Sequence, residues 1–346
     1  MIQITKDQEE QALELHKKAI VIDFHCDAVL ATLPDSAFPI GTGAKRTLAE
    51  RSTEGHVDIP RLREGGVDCQ VFSHFVEPIY NPIAPYRMLQ VMGYSFAEIE
   101  KNSDKLEIIT RVKEIYKNHG EKISIIVGFE GGEAIDKDLR LLRIFHRLGL
   151  RRLTLCWNNR NAIADGVSSQ RSKGGLTEFG VLAVEECNKL GILVDISHMT
   201  DPGFWDVLEV SKDTVIASHS NCRTLCSTMR NLTDDMIKAL AEKGGVMGMN
   251  FGQGFLIDQK EIMSGMIPTV ETVVDHIDHI VKVTGSVDNI GLGSDFDGVS
   301  SVAQGLEDVS NLPNLTKTLV ARGYSDQEVE KILGGNFLRV IEKVWK

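Results

Sequence analysis

An α/β protein of the (β/α)8, or TIM, barrel class is what the sequence predicts, from three observations. Eight short apolar runs recur along the 346 residues, helical patterns alternate with them, and polar residues of one kind close most of the runs. The runs are 19–25, 67–73, 123–130, 152–157, 192–198, 214–220, 244–251 and 289–295. Each is short and rich in Val, Ile and Leu, as strands covered on both faces are. Strand–helix alternation repeated eight times is the pattern of this barrel. The competing doubly wound sheet lacks a GxGxxG after its first strand, so its dinucleotide-binding form has no support.

The helices carry their own start and stop signals. Thr177 opens TEFGVLAVEECNKLG, closed by Gly191, and Thr233 opens TDDMIKALAEKGG with acids in its first turn. Such caps have a physical reason. A hydroxyl accepts from the first free N–H groups, and glycine takes the left-handed exit. Residues 270–285 have apolar positions at helical spacing. Ser325 and Glu328 form a capping box, and the helix they open is expected to stop near Gly334. No Pro/Gly/Ser linker interrupts the chain, so residues 1–346 read as one TIM-barrel domain.

Composition removes several classes. A net charge of −11 argues against a nucleic-acid partner. The longest apolar runs fall far short of the ~20 residues a membrane helix needs. The first 20 residues are charged throughout, so neither a signal peptide nor membrane association is expected. Six scattered cysteines read as free thiols of a cytoplasmic protein.

The informative residues stand at strand ends. The first strand ends in Asp23-Phe24-His25-Cys26-Asp27, where His25 and Asp27 share a face. The third, fifth, sixth and eighth end in Glu130, His198, His219 and Asp295. Active sites of this fold lie at that end of the barrel. Imidazoles and carboxylates converging there are zinc-type ligands. His25, Asp27, Glu130, His198 and His219 are too many for one tetrahedral ion and suit two, with Glu130 as the bridge. Two such ions hold a bridging hydroxide near neutral pH, and Asp295 is placed to move its proton to a leaving amine. A lone strand-end histidine is more often structural, and Asp295 with Asp297 in SDFDG could form only a turn; the conjunction of five strand ends favours the metal site. His56 and His74 are candidate substrate contacts, whereas His16, His119, His146, His276 and His279 read as structural.

These residues lie in motifs that extend beyond the site: DFHCD (23–27), VDIPRLREGGVDCQ (57–70), EGG (130–132), GLTEFG (175–180), LVDISH (193–198), SHSNCR (218–223), MRNLTDD (229–235), GLGSDFDGV (291–299) and ILGGNFLRV (332–340). From about residue 19 to 343 the chain resembles the membrane (renal) dipeptidases and their bacterial relatives, peptidase family M19 of the amidohydrolase superfamily. The resemblance implies two zinc ions per chain, His25 and Asp27 on one, His198 and His219 on the other, and Glu130 on both; such nitrogen and carboxylate ligands also accept Mn, Co or Fe. It implies Asp295 as the acid/base and Arg230 as the grip on the substrate's free carboxylate, in a pocket open to solvent. It implies a dipeptide substrate, with a D-residue tolerated at its C-terminal position, and it allows a homodimer.

Two departures stand out. Mammalian members carry a histidine at the end of strand four, thought to polarise the scissile carbonyl; here Trp157 holds that position. Asn158, Asn159 or Arg160 could supply the donor. There is also no hydrophobic C-terminal tail, so a lipid anchor is not expected.

The expected function is a zinc-dependent dipeptidase acting on L-X-L and L-X-D dipeptides through a metal-bridging hydroxide. The alternative is another dinuclear amidohydrolase acting on an N-acyl amino acid or a small cyclic amide, and the third reading is a barrel that only binds. Loops 28–56, 74–90, 158–176 and 252–268 are expected to set side-chain preference. Lys45, Arg46, Arg160 and Arg223 are candidates for favouring acidic substrates.

Overall fold

The computed structural model describes residues 4–37 and 46–346. Its strands are β1 (Val21–Cys26), β2 (Val67–Phe75), β3 (Leu106–Ile108), β4 (Ile123–Glu130), β5 (Leu150–Thr154), β6 (Leu193–Asp195), β7 (Ile216–Ala217), β8 (Val246–Met249) and β9 (Ile290–Leu292). All pair in parallel. β2 pairs directly with β4, and Asp23 of β1 pairs with Leu292 of β9, which closes eight strands into a (β/α)8 barrel. Every residue of β1, β2 and β4 is buried, because the barrel interior covers one face and the helices the other.

All eight apolar runs lie on barrel strands. β3 is additional: its three residues pair with Ile123–Ile125 at the start of β4, on the edge that β5 takes further along.

The predicted caps form. Thr177 accepts from Gly180 N ahead of the helix Glu178–Leu190, and Gly191 leaves it at φ 72°. Thr233 accepts from Met236 N. The Ser325–Glu328 capping box is closed in both directions. The expected stop near Gly334 is wrong. The helix Asp326–Glu330 continues through a wider turn, Lys331–Gly335, into Asn336–Val344. Gly334 serves close approach instead: a Cβ there would stand 2.1 Å from the Ile20 carbonyl. That approach seats Phe337 on Phe24 of β1, with ring centroids 3.7 Å apart.

Among the described residues no helix is long and apolar enough to cross a membrane. The six cysteines are free and buried.

Candidate active site

The carboxyl ends of the strands bring His25, Asp27, Glu130, His198, His219 and Asp295 together. Glu130 is the last residue of β4, and Asp27 follows β1 directly. His198, His219 and Asp295 sit in the turns after β6, β7 and β9. His198 and Asp295 hold left-handed backbone, at φ 70° and 62°. That conformation costs a side-chain-bearing residue ~1–2 kcal/mol, and such strain collects at functional sites.

Glu130 directs its two oxygens to two halves of this cluster. Oε1 lies 2.8 Å from His198 Nε2 and 3.6 Å from His219 Nε2, and Oε2 lies 3.7 Å from His25 Nε2. His25 Nε2 is 3.2 Å from Asp27 Oδ2 and 3.8 Å from Asp295 Oδ1. Three overlapping groups have the spacing of metal ligands: His25–Asp27–Glu130, Glu130–His198–His219 and His25–His219–Asp295.

The partners of the rings fix where their protons go. His198 Nδ1 donates to Asn158 Oδ1 at 2.8 Å. Ser218 Oγ donates to the Asp195 carboxylate at 2.6 Å, so it meets His219 Nδ1, 2.7 Å away, as an acceptor. Both Nδ1 atoms therefore carry the proton, and both Nε2 atoms present lone pairs to the site. Metal-binding histidines are held this way.

Charge divides the site in the same manner. Burial would lower His25, but Glu130 and Asp27 outweigh it and raise it to about 9. Burial and then Arg230 lower His198 to about 4. Burial, with the Glu130 charge added, raises Asp27 to about 7 and, despite His25, Asp295 to about 6. Three carboxylates crowded against one another and two neutral imidazoles form a donor set that a divalent cation satisfies.

A cavity of about 270 Å³ opens over this cluster. Leu30, Phe75, Trp157, Val167, Phe255 and Val299 supply its apolar wall. Each of the four expected specificity loops contributes, and the turn after β9 adds Gly298 and Val299. A Cβ on Gly298 would stand 2.2 Å from Asp27 Oδ2 and 2.3 Å from Asp295 Oδ1, so glycine there keeps the site open.

Arg230 lines the cavity but is only 8% exposed, more enclosed than expected. Its Nη2 donates to the His219 carbonyl at 3.3 Å and its guanidinium lies 5.5 Å from the Phe255 ring centre. Its Nη1 is buried with no partner among the described residues. Trp157 lines the cavity, with its ring 5.2 Å from Phe75 and 6.1 Å from His198. Asn158 also lines it, but its carbonyl oxygen is taken by His198.

Other expectations fail for visible reasons. His74 is fully buried on the Phe72 and Gly128 carbonyls. His56 is bonded at both N and Nδ1 to Asp297. Arg46, Arg160 and Arg223 are paired with Asp297, Asp165 and Asp201, and none of the three lines the cavity. Lys45 lies outside the described residues. Asp295 is both a turn residue and a site residue, because Gly298 N donates to its carbonyl at 3.0 Å while its side chain faces the cluster.

Asn250 was not anticipated. Its Nδ2 donates to Asp295 Oδ2 at 2.8 Å, and its Oδ1 accepts from Gly252 N at 2.7 Å, which fixes the amide. Ser73, Arg152, Asp195 and Ser218 were missed as well. Their signal is polarity within strand segments that are otherwise apolar.

The family model described as membrane dipeptidase (peptidase family M19) matches residues 9–346. The chain is 33% identical over 348 residues to mouse dipeptidase 3, covering 97% of this chain and 66% of that protein. It thus spans about two thirds of that relative's length. Among solved structures, an M19 metallopeptidase described as dipeptidase AC is similar at a TM-score of 0.82 and 30% identity, over 94% of this chain and 99% of that one. A Rhodobacter sphaeroides metallopeptidase, bound to a phosphinate mimic of the dipeptide L-Ala-D-Ala, is similar at a TM-score of 0.82 and 29% identity, over 95% and 100%.

Proposed function

The chain belongs to the membrane dipeptidase family, peptidase family M19, and from that premise we propose that it is a zinc-dependent dipeptidase cleaving L-X-L and L-X-D dipeptides. The observation that carries this reading is Arg230 Nη1. It is a buried donor, without a partner among the described residues, in the wall of the cavity that holds the ligand cluster. A fixed guanidinium beside a hydrolytic centre suits a substrate whose free carboxylate lies close to the scissile bond. The cavity of about 270 Å³ suits so small a molecule. The ligand of the Rhodobacter relative supports tolerance of a D-residue.

His25 and Asp27 would hold one zinc ion, His198 and His219 the other, with Glu130 on both. Two zinc ions so held supply a hydroxide nucleophile at neutral pH and a Lewis acid for the scissile carbonyl. The protein's own groups do the rest. Arg230 binds the carboxylate and thereby sets the register of the peptide bond. Asp295, held by Asn250, takes a proton from the nucleophile and returns it to the leaving amine. The apolar wall of Phe75, Trp157 and Val167 limits water around the reacting atoms. One domain carries all of these roles. Six free buried cysteines support a cytoplasmic setting.

A four-substrate assay tests the reading, with L-Ala-L-Ala, L-Ala-D-Ala, N-acetyl-L-alanine and the cyclic dipeptide of alanine. Hydrolysis of the two dipeptides alone is expected. Cleavage of the acetylated or cyclic amide in preference to both would replace it with the wider amidohydrolase reading.

A further inference from the structure

We infer that Arg152 is a positioning residue that, with Asp195, ties the ligands of both metal positions to one ion pair beneath the site. The inference rests on the two-metal reading above. Arg152 lies on β5, is fully buried, and points into the barrel. Barrel interiors are ordinarily filled with branched aliphatic side chains. A charge there is expensive to desolvate, and a well-packed apolar replacement is often no less stable. Stability alone therefore does not account for it.

Its contacts run to both halves of the cluster. Arg152 Nη1 lies 3.2 Å from Asp195 Oδ2 on β6. Nη2 donates to Ser73 Oγ at 2.7 Å, and that oxygen is 3.1 Å from His25 Nδ1. Nη2 itself is 3.4 Å from the same nitrogen. On the other side Asp195 reaches His219 through Ser218. Asp195 Oδ1 is held by the backbone N–H of Ser197 at 3.1 Å and of Ser218 at 2.8 Å. The guanidinium thus reaches a histidine of one metal position through one hydroxyl. Through the carboxylate and a second hydroxyl it reaches a histidine of the other.

The test is metal titration of chelator-stripped protein against a chromophoric competitor, with the cobalt(II) absorption spectrum as a second readout and the metal-free melting temperature as a control. The proteins are wild type, Arg152→Met, Arg152→Lys, Ser73→Ala and Ser218→Ala. Loss of an outer partner of a metal ligand typically weakens affinity about 10–100-fold. Ser73→Ala is expected to weaken one of the two constants on that scale, Ser218→Ala the other, and Arg152→Met both. Arg152→Lys keeps the charge without the planar fork and is expected to weaken both by at least about threefold and alter the cobalt spectrum. If Arg152→Met does not fold, Arg152→Lys and the serine variants decide. Constants within twofold of wild type in every folded Arg152 variant, beside a lowered melting temperature, would make Arg152 structural and overturn the inference alone. Wild type that takes up no metal would overturn the two-metal reading and the inference together.

Discussion

His198 Nε2 lies 2.9 Å from His219 Nε2, although the Nδ1 proton of each ring is already committed, to Asn158 and to Ser218. Two lone pairs therefore face each other at close range, with Glu130 Oε1 2.8 Å from one of them. A cation held between them would turn that repulsion into ligation.

The first prediction follows from this pair. His219→Ala should lower bound zinc from two toward one per chain and remove dipeptidase activity. Elemental analysis beside the assay checks it; two retained ions would place the second metal elsewhere.

Arg230 should act on binding more than on chemistry. A hydrogen bond to a charged group is worth about 1.5–3 kcal/mol, or about 10- to 150-fold. Arg230→Met should raise KM for free dipeptides within that range. For a C-terminally amidated dipeptide, variant and wild type should differ little. An equal loss on both substrates would remove the carboxylate contact from the account.

Asp295→Asn should reduce kcat about 10²–10⁴-fold, the usual worth of a positioned acid or base, with metal content unchanged. Asn250→Ala should cause a smaller fall in kcat, since it only releases the carboxylate from its hold. Loss of zinc from the Asp295 variant would show that residue to be a required ligand.

Stability should depend on pH through His276, which lies on the helix Val270–Thr284 and is not one of the clustered ligands. This ring is fully buried, accepts from Cys222 N at 3.1 Å and donates to the Leu256 carbonyl at 3.0 Å. Burial lowers it from 6.5 to about 4. The unfolded chain takes a proton below about 6.5 that the folded ring refuses until about 4. Its contribution is therefore complete above pH 6.5 and is lost as pH falls through that window. Linkage puts the loss from this group at about 2 kcal/mol between about pH 7 and pH 5. Denaturant unfolding at both values should show a correspondingly shallower pH dependence in His276→Asn than in wild type. Equal slopes would contradict the assignment.

Much of this architecture was legible because burial on both faces writes itself as short aliphatic runs, and all eight barrel strands carry that mark. β3 does not, because one buried and two half-buried residues in KLEIIT leave too little pattern. Gly334 misled because glycine marks both a helix end and a close approach, and only the neighbouring Ile20 carbonyl distinguishes them. The convergence of His25, Asp27, Glu130, His198, His219 and Asp295 was readable because strand ends of a barrel meet by construction.

Side-chain pairing was not readable. Arg46, Arg160 and Arg223 resemble free cations in sequence, yet each meets an aspartate that spacing does not foretell. Asn250 is likewise an ordinary asparagine until the fold sets its amide against Asp295. Arg152 did leave a trace, as a second arginine inside LRRLT, but its partners come from four other strands.

The most direct test of the central claim is bound metal per chain, measured by elemental analysis, on protein assayed with L-Ala-L-Ala and L-Ala-D-Ala before and after chelation. The account predicts about two zinc ions per chain, with cleavage that chelation abolishes and zinc restores. Full cleavage by protein stripped of metal, or no metal uptake on refilling, would contradict it.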